Sequence, residues 1–329
     1  MSDMLFEEIP SLDLAHFTQG SAAEKNKFVQ DLGAAFENIG FVAIKNHGFS
    51  DAQRDELYKT IINFFSLPDN IKYQYERPDT FFQRGYIGHG REQAKDHPVP
   101  DLKEFFHVGQ EFDDSDVKKD MALAEFPPNV WVQEMPALEA VTVQAFKILE
   151  EAGKNLLRAI ALYLKLPENY FDSRVERGNS ILRPIHYYPI TQPELLAPDA
   201  VRAAAHGDIN LITLLMGASA DGLQVLRRDG KWISVTALPE QVVVNVGDML
   251  SRHTNNKLKS TIHRVVNPPR DKMNSSRYSI PFFMHPRSEM DLTCLPNCID
   301  AQNPKLYESI TAGDFLQQRL AEIGLANKK

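Results

Sequence analysis

Two histidines and an aspartate, followed by an arginine and a serine, are the residues whose types and order could do chemistry together. His206 and Asp208 stand two apart in AHGDINLITLL, His263 lies inside KSTIHRVV, and Arg277 and Ser279 stand two apart in RYSIPFF. Residues i and i+2 of an extended strand point to one face. His206 and Asp208 are therefore expected to offer an imidazole and a carboxylate to one metal ion from one strand. His263 is expected on a distant strand, which a closed β-barrel can bring to the same interior. Arg277 offers a planar fork to a carboxylate, and the Ser279 hydroxyl on the same face adds one more donor. If His263 and Arg277 occupy neighbouring strands, the guanidinium sits one short dicarboxylate away from the metal.

Two neutral imidazoles and one carboxylate on one face of an octahedron leave the other positions open. That is how non-haem Fe(II) binds a chelating co-substrate and O2 side by side. Each piece alone has a plainer reading: buried polar histidines, or a strand arginine in an ion pair. Two histidines and a carboxylate can also bind Zn(II) for hydrolysis. The ordered set of five, all within one strand-rich region, is much more specific than any piece alone.

The elements that must hold these residues are legible as periodicities. Ser21 and Glu24 form a capping-box pattern ahead of Phe28, Leu32, Phe36 and Ile39, and Gly40 ends that helix. Residues 41–44 read as a short buried strand. Ser50 and Gln53 start a second helix, with Leu57, Ile61 and Phe65 on its inner face, ending before Pro68. Residues 76–100 read as a polar loop containing RGYIGHGR. Residues 137–166 form a long helix, with Leu138, Val141, Ile148, Ala152, Leu156 and Ile160 near one stripe and Pro167 beyond it. From about Ile181 the pattern turns to short β runs at 211–216, 223–226, 232–235, 242–246, 260–266 and 278–283. Asp229-Gly230 is a hairpin signal between two of them. Residues 311–325 read as an amphipathic tail helix started by Thr311 and Asp314. Regular short strands separated by turns point to a sandwich or barrel. Residues 1–120 form a helix and strand region. Residues 121–329 carry the backing helix, the β core and the tail helix, packed with it as one unit.

The 329 residues are 43% hydrophobic and carry a formal charge of -8. That is enough apolar material for a full core. The acidic balance argues against a nucleic-acid partner, which would require a basic field. Cys294 and Cys298 are the only cysteines, too few for a disulfide framework, and read as reduced thiols. The N-terminus lacks the cationic and apolar regions of a secretory signal, and no apolar run is long enough to span a bilayer. The expectation is a cytoplasmic protein with no membrane partner, a monomer or small homo-oligomer.

At the five site residues the chain resembles the 2-oxoglutarate/Fe(II) oxygenase superfamily, specifically its isopenicillin N synthase-like branch. The likeness extends through IPSLDL, IGFVAIKNHGFS, LKEFFHVG, LRPIHYYP, VVVNVGDML, TNNKLKSTIHRVVNP and RYSIPFFMHP, over roughly residues 7 to 290. It implies a mainly β fold, a double-stranded β-helix (jelly roll) embraced by helices. It also implies Fe(II) on His206, Asp208 and His263, with the far carboxylate of 2-oxoglutarate on Arg277 and Ser279. Tyr188 matches a position that often contacts the co-substrate. His186 stands where many members have Asn, and reads either as a substrate residue or as a plain strand histidine. Arg84 and Tyr86 in the loop 82–91, and His107 in the strand 105–108, occupy places that line the substrate pocket in related enzymes; Phe283 reads either as an apolar wall of that pocket or as core packing. The implied reaction consumes O2 and 2-oxoglutarate, releases succinate and CO2, and removes a hydrogen atom from an unactivated C–H bond of a small molecule. Hydroxylation is the default, and desaturation or ring closure shares its first step. Asp208 disfavours halogenation, which needs a vacant ligand position for chloride. The alternatives are a 2-oxoglutarate-independent oxidase of the isopenicillin N synthase or aminocyclopropane carboxylate oxidase type, and a non-catalytic metal-dependent sensor.

Overall fold

The computed structural model describes residues 6–80, 82–89, 102–112, 126–196, 200–216, 222–236 and 238–322. Thirteen strands are present among them: β1 Ser11–Asp13, β2 Phe41–Lys45, β3 Gly85–Ile87, β4 Lys103–His107, β5 Ile181–Leu182, β6 Ile185–Tyr187, β7 Ala203–His206, β8 Ile212–Met216, β9 Leu223–Leu226, β10 Trp232–Ser234, β11 Val242–Val246, β12 His263–Val265 and β13 Arg277–Met284. The larger sheet runs β1-β2-β11-β8-β13-β6-β4-β3, with β5 also on β13. The smaller runs β10-β9-β12-β7. All pairings are antiparallel except β1 with β2. Two facing antiparallel sheets with flanking helices make the jelly roll the sequence led us to expect.

The period of two decides what each strand shows to each side. Ile280, Phe282 and Met284 of β13, Ile212 and Leu214 of β8, and Val242, Val244 and Val246 of β11 join the apolar layer beneath the helices. Their alternate neighbours face the space between the sheets, where Phe41, Phe105, Ile185, Leu223, Val225, Val243 and Val265 form a second apolar cluster. The helix Pro136–Tyr163 backs the larger sheet, as its stripe requires. Gly153 permits the approach: a Cβ there would lie 2.5 Å from the Met284 sulfur, inside any real contact distance.

Both capping boxes form, at Ser21 with Glu24 and at Ser50 with Gln53. Gly40 takes φ +72° just past the first helix, a conformation glycine adopts without strain. Gly230, at φ +85°, turns the hairpin between β9 and β10. Other expectations needed correction. The strand expected over residues 260–266 is confined to β12, and residues 260–262 are irregular. The 76–100 region contains β3 in its described part, because Tyr86 pairs with Phe106 and buries its ring completely. The long helix ends at Tyr163 rather than Leu166. The tail helix spans Ala312–Glu322, and Thr311 precedes it in a bridge to Asp291; residues 323–325 of its expected span, and the 120/121 boundary, lie outside the described residues. The β1 and β5 strands and the helix Asp248–His253 were not read from the sequence. Each is short, so its pattern repeats too few times to be seen.

Cys294 and Cys298 are buried and unbridged, and burial pushes the Cys298 thiol up to about 11. Among the described residues no helix is long and apolar enough to cross a membrane.

Two buried imidazoles give the fold an acid limit. Burial pushes both His253 and His285 down to about 4. Burial holds His253 neutral against the opposing pull of its Nδ1–H bond to the Thr293 carbonyl at 2.8 Å, while its Nε2 lies 3.0 Å from the Tyr170 hydroxyl. An unfolded histidine takes its proton near pH 6.5. The stability from keeping these rings neutral is therefore complete above pH 6.5 and lost as pH falls toward 4, by about 3 kcal/mol for each ring. Urea unfolding of the metal-free protein across this range should show stability declining from pH 6.5, above the carboxylate range. A flat profile down to pH 5 would contradict it.

Candidate active site

The strand β7 ends on His206, and Gly207 and Asp208 follow in the turn toward β8. The two residues therefore do not share one strand face as expected. The turn itself carries the carboxylate inward. His263 opens β12, which pairs with β7 and places His263 directly opposite His206. The imidazole centroids are 4.5 Å apart. One ligand atom from each of His206, Asp208 and His263 lies within 4.8 Å of the others, close enough to hold one metal ion.

Hydrogen bonds fix which atoms are offered. His206 Nδ1 donates to the Ala204 carbonyl at 2.7 Å and His263 Nδ1 to the Thr261 carbonyl at 3.2 Å. A carbonyl only accepts, so Nδ1 bears the proton in each ring and Nε2 keeps its lone pair. Those two Nε2 atoms lie 4.0 and 3.8 Å from Asp208 Oδ1. Asp208 Oδ2 is already occupied, accepting from Thr213 Oγ1 at 2.6 Å and Asn245 Nδ2 at 2.8 Å. Two nitrogens and one oxygen thus converge with lone pairs inward, a donor set that fits Fe(II). The Phe41 ring meets His263 at 5.5 Å, near edge-on, and fixes its plane.

Charge follows from the same surroundings. The His206 ring is accessible through the cavity but enclosed by protein. That burial, reinforced by His263, pushes it down to about 4 against the opposing pull of Asp208. The ring is neutral at ordinary pH. Burial alone would raise the Asp208 carboxyl. His263 and His206, helped by hydrogen bonds from Asn245 and Thr213, outweigh it and hold the carboxyl below its ordinary range.

Arg277 and Ser279 lie on β13 in the opposite sheet, not on a strand next to His263. The two face the histidines across the barrel interior, and all five expected residues line one cavity. Arg277 and Ser279 are almost completely buried. The register pairs Arg277 with Tyr187 and Ser279 with Ile185, and the guanidinium lies 4.8 Å from the Tyr187 ring centre. Buried Arg202 adds a second guanidinium nearby, its pKa lowered by burial and then by Arg277. Two cations held close without water favour an anion between or beside them.

Parity separates the remaining expectations. Arg183, Ile185 and Tyr187 line the cavity; His186 and Tyr188 fall on the other side of the strand. His186 joins a buried group around Glu104, a side chain sealed from solvent. Its Nδ1 lies 2.7 Å from one Glu104 oxygen, while Lys72 Nζ, at 2.8 Å, and the Tyr86 hydroxyl donate to the other. Tyr188 stands 5.0 Å from the His186 ring, and burial, then Glu104, raises its pKa. Arg84 is buried, donates to the Gln83 carbonyl at 2.8 Å and is pushed down by burial to about 10. Arg84, Tyr86, His186 and Tyr188 are not among the residues lining the cavity. Phe283 does line it. His107 stands behind the wall, accepting at Nε2 from Arg183 Nε at 2.6 Å.

The sequence reading missed Lys103, Arg183, Tyr187, Thr213 and Asn245, all of which line the cavity. Asn245 did leave a signal, as the one polar residue in the run VVVNV.

The Glu104 group should be a stability element. Glu104→Ala leaves the buried Lys72 ammonium with only the exposed Asp69 carboxylate, at 3.1 Å, and should cost about 3 kcal/mol, measured by urea unfolding. Iron bound per folded molecule should not change. A variant of wild-type stability with lost turnover would instead put this group in catalysis.

Two family models match the chain: a non-haem dioxygenase N-terminal family, described from morphine synthesis, over residues 9–134, and the 2OG-Fe(II) oxygenase superfamily over residues 178–286. The chain is 31% identical to the 2-oxoglutarate-dependent dioxygenase frbA of Dothideomycetidae sp. (strain 11243), covering 95% of this chain and 96% of that one. It is 43% identical to a 2OG-Fe(II) oxygenase family protein from Caulobacter crescentus of known structure, with TM-score 0.84 and coverage of 96% and 99%. A full-length Neurospora crassa protein, crystallised in complex with alpha-KG and thymine, is 32% identical, with TM-score 0.84 and coverage of 95% and 96%.

Proposed function

The chain belongs to the 2OG-Fe(II) oxygenase superfamily, and from that premise we propose that His206, Asp208 and His263 hold the iron, that Arg277 and Ser279 hold the distal carboxylate of 2-oxoglutarate, and that the protein hydroxylates a small molecule. It is a 2-oxoglutarate-dependent dioxygenase whose cofactor is Fe(II) and whose co-substrates are 2-oxoglutarate and O2. The observation that carries the residue assignment is the single cavity into which two Nε2 lone pairs, one carboxylate oxygen and a guanidinium converge.

Bound together, iron, 2-oxoglutarate and O2 supply the oxidation, with release of succinate and CO2. The chain's own residues position and exclude. The Nδ1–H bonds to Ala204 and Thr261 keep both imidazoles in one tautomer. Thr213 and Asn245 occupy Asp208 Oδ2, so Oδ1 alone faces inward. Arg277 binds the carboxylate as a fork, and Ser279 adds a hydroxyl donor beside it. Tyr187, rather than Tyr188, takes the position next to this carboxylate, because it shares the Arg277 face. Leu215, Leu223, Val265 and Ile185 supply apolar walls that keep water from the reacting centre.

The deciding test is anaerobic addition of 2-oxoglutarate to the Fe(II)-loaded protein, read as a metal-to-ligand charge-transfer absorbance, followed by oxygenation and succinate measurement. Absorbance and succinate together support the reading. Iron binding without either would leave the 2-oxoglutarate-independent oxidase in its place.

A further inference from the structure

The sheet at Arg277 carries a different row of side chains on each face. On the cavity face the register aligns Lys103, Tyr187 and Arg277 across β4, β6 and β13. On the back it aligns Glu104, His186 and Tyr278. A side chain in the back row touches no ligand in the cavity, yet it acts on the backbone that carries the fork.

Arg277 sits where such a hold matters. It is the first residue of β13. From Arg277 to Ser279 the strand pairs with β6, and β8 joins on the other side only from Ile280 onward. A strand end with a ladder on one side frays more readily than the two-sided stretch beyond it. His186 supplies a hold from the back. Its ring stacks on Tyr278, with centroids 4.8 Å apart and planes 12° from parallel. Its Nε2 lies 2.9 Å from the Ser276 hydroxyl oxygen. Ser276 and Tyr278 are the residues on either side of Arg277, so one imidazole grips the strand both before and after the fork.

The imidazole is itself held. Its Nδ1 lies 2.7 Å from one Glu104 oxygen, and the other accepts from Lys72 Nζ at 2.8 Å and from the Tyr86 hydroxyl. Burial alone would raise the Glu104 carboxyl. Hydrogen bonds from His186, Lys72 and Tyr86 outweigh it and hold the group below its ordinary range, as an ionised acceptor. His186 therefore donates from Nδ1 to Glu104. Phe65, at the end of the helix Asp51–Phe65, closes the stack, 5.6 Å from the His186 ring and 6.4 Å from that of Tyr278.

We propose that His186, holding Ser276 and Tyr278 from the back of the sheet, is a positioning residue for the Arg277 fork and thereby sets how tightly 2-oxoglutarate is bound. This deepens the assignment of the distal carboxylate to Arg277 and rests on it. A fork already held in place gives up little freedom when the carboxylate arrives, whereas a loosened one must give it up on binding.

The experiment titrates 2-oxoglutarate into full-length Fe(II)-loaded protein without O2 and reads the charge-transfer absorbance. His186→Ala should bind 2-oxoglutarate about 3- to 10-fold more weakly, the cost of immobilising one freed side chain, with iron per chain as in the wild type. Ser276→Ala removes only a half-buried hydroxyl and should weaken binding about threefold. In protein that already carries Arg277→Ala, adding either substitution should change the affinity by less than about twofold, because both act through the fork. A group that serves only the fold would lower the unfolding midpoint and leave these affinities where they were. Wild-type affinity in both single variants would overturn the proposal, as would losses that add in full to that of Arg277→Ala. Ser276→Ala and its combination with Arg277→Ala decide if His186→Ala fails to fold. Wild-type affinity in Arg277→Ala would end the carboxylate assignment and this inference together. Weakened Arg277→Ala beside unaffected His186→Ala and Ser276→Ala would end this inference alone.

Discussion

His206→Ala should yield a folded protein that no longer retains iron and no longer turns over. Two neutral nitrogens and one carboxylate oxygen make up the donor set, and removing one leaves two groups that cannot define a face of an octahedron. Loss of an outer hydrogen-bond partner of a metal ligand typically costs about 10–100-fold in affinity or activity. Loss of the ligand itself should exceed about 100-fold on the same scale. The imidazole opens on the cavity and its removal creates no buried unpaired charge, so the thermal midpoint of the metal-free protein should move little. Iron per chain after dialysis, with succinate release and circular dichroism on the same sample, checks all three statements. A variant that keeps stoichiometric iron and wild-type turnover would remove His206 from the site.

Arg277→Ala should separate the co-substrate from the metal. Iron content should match the wild type, because the guanidinium lies on the opposite sheet from the ligands. The 2-oxoglutarate requirement should rise about 100-fold, corresponding to about 3 kcal/mol for two charge-assisted hydrogen bonds lost from a water-poor site. Ser279→Ala removes one neutral donor and should cost about 1 kcal/mol, or roughly fivefold. Arg277→Lys should restore only part of the loss, since an ammonium cannot present a planar fork. Titrating the charge-transfer absorbance with 2-oxoglutarate measures each variant without turnover. An Arg277→Ala protein with wild-type 2-oxoglutarate affinity would mean that another cation, Lys103 or Arg183, holds the diacid.

The two predictions differ in how readily they could be read from the chain. Ligand chemistry was legible because histidine, aspartate and arginine are chosen by the metal and the carboxylate themselves, wherever the backbone carries them. The capping boxes at Ser21 and Ser50 and the Asp229-Gly230 turn were legible for a similar reason. Each is a local device whose partners lie within a few residues. Tyr188 shows the limit. YY in LRPIHYYP offers two tyrosines, and choosing between them requires the parity of β6. That parity is set by the pairing of Tyr187 with Arg277, a contact between residues far apart in sequence. A one-residue slip exchanges every side chain between the two faces of a sheet.

The amino-acid sequence by itself pointed to a strand-rich sandwich or barrel, to the residue types proposed for the metal and the carboxylate, and to the two capped helices and the long backing helix, because those follow from composition and short-range periodicity. Only the tertiary structure decided that the ligands and the fork belong to opposing sheets, and that Asp208 reaches the centre from a turn beyond the strand end. It also decided that Arg84, Tyr86 and His186 stand away from the cavity while Lys103 and Arg183 line it. The reason is physical: which face of a strand looks inward is fixed by its hydrogen-bonded neighbour across the sheet, and that neighbour is not adjacent in the chain.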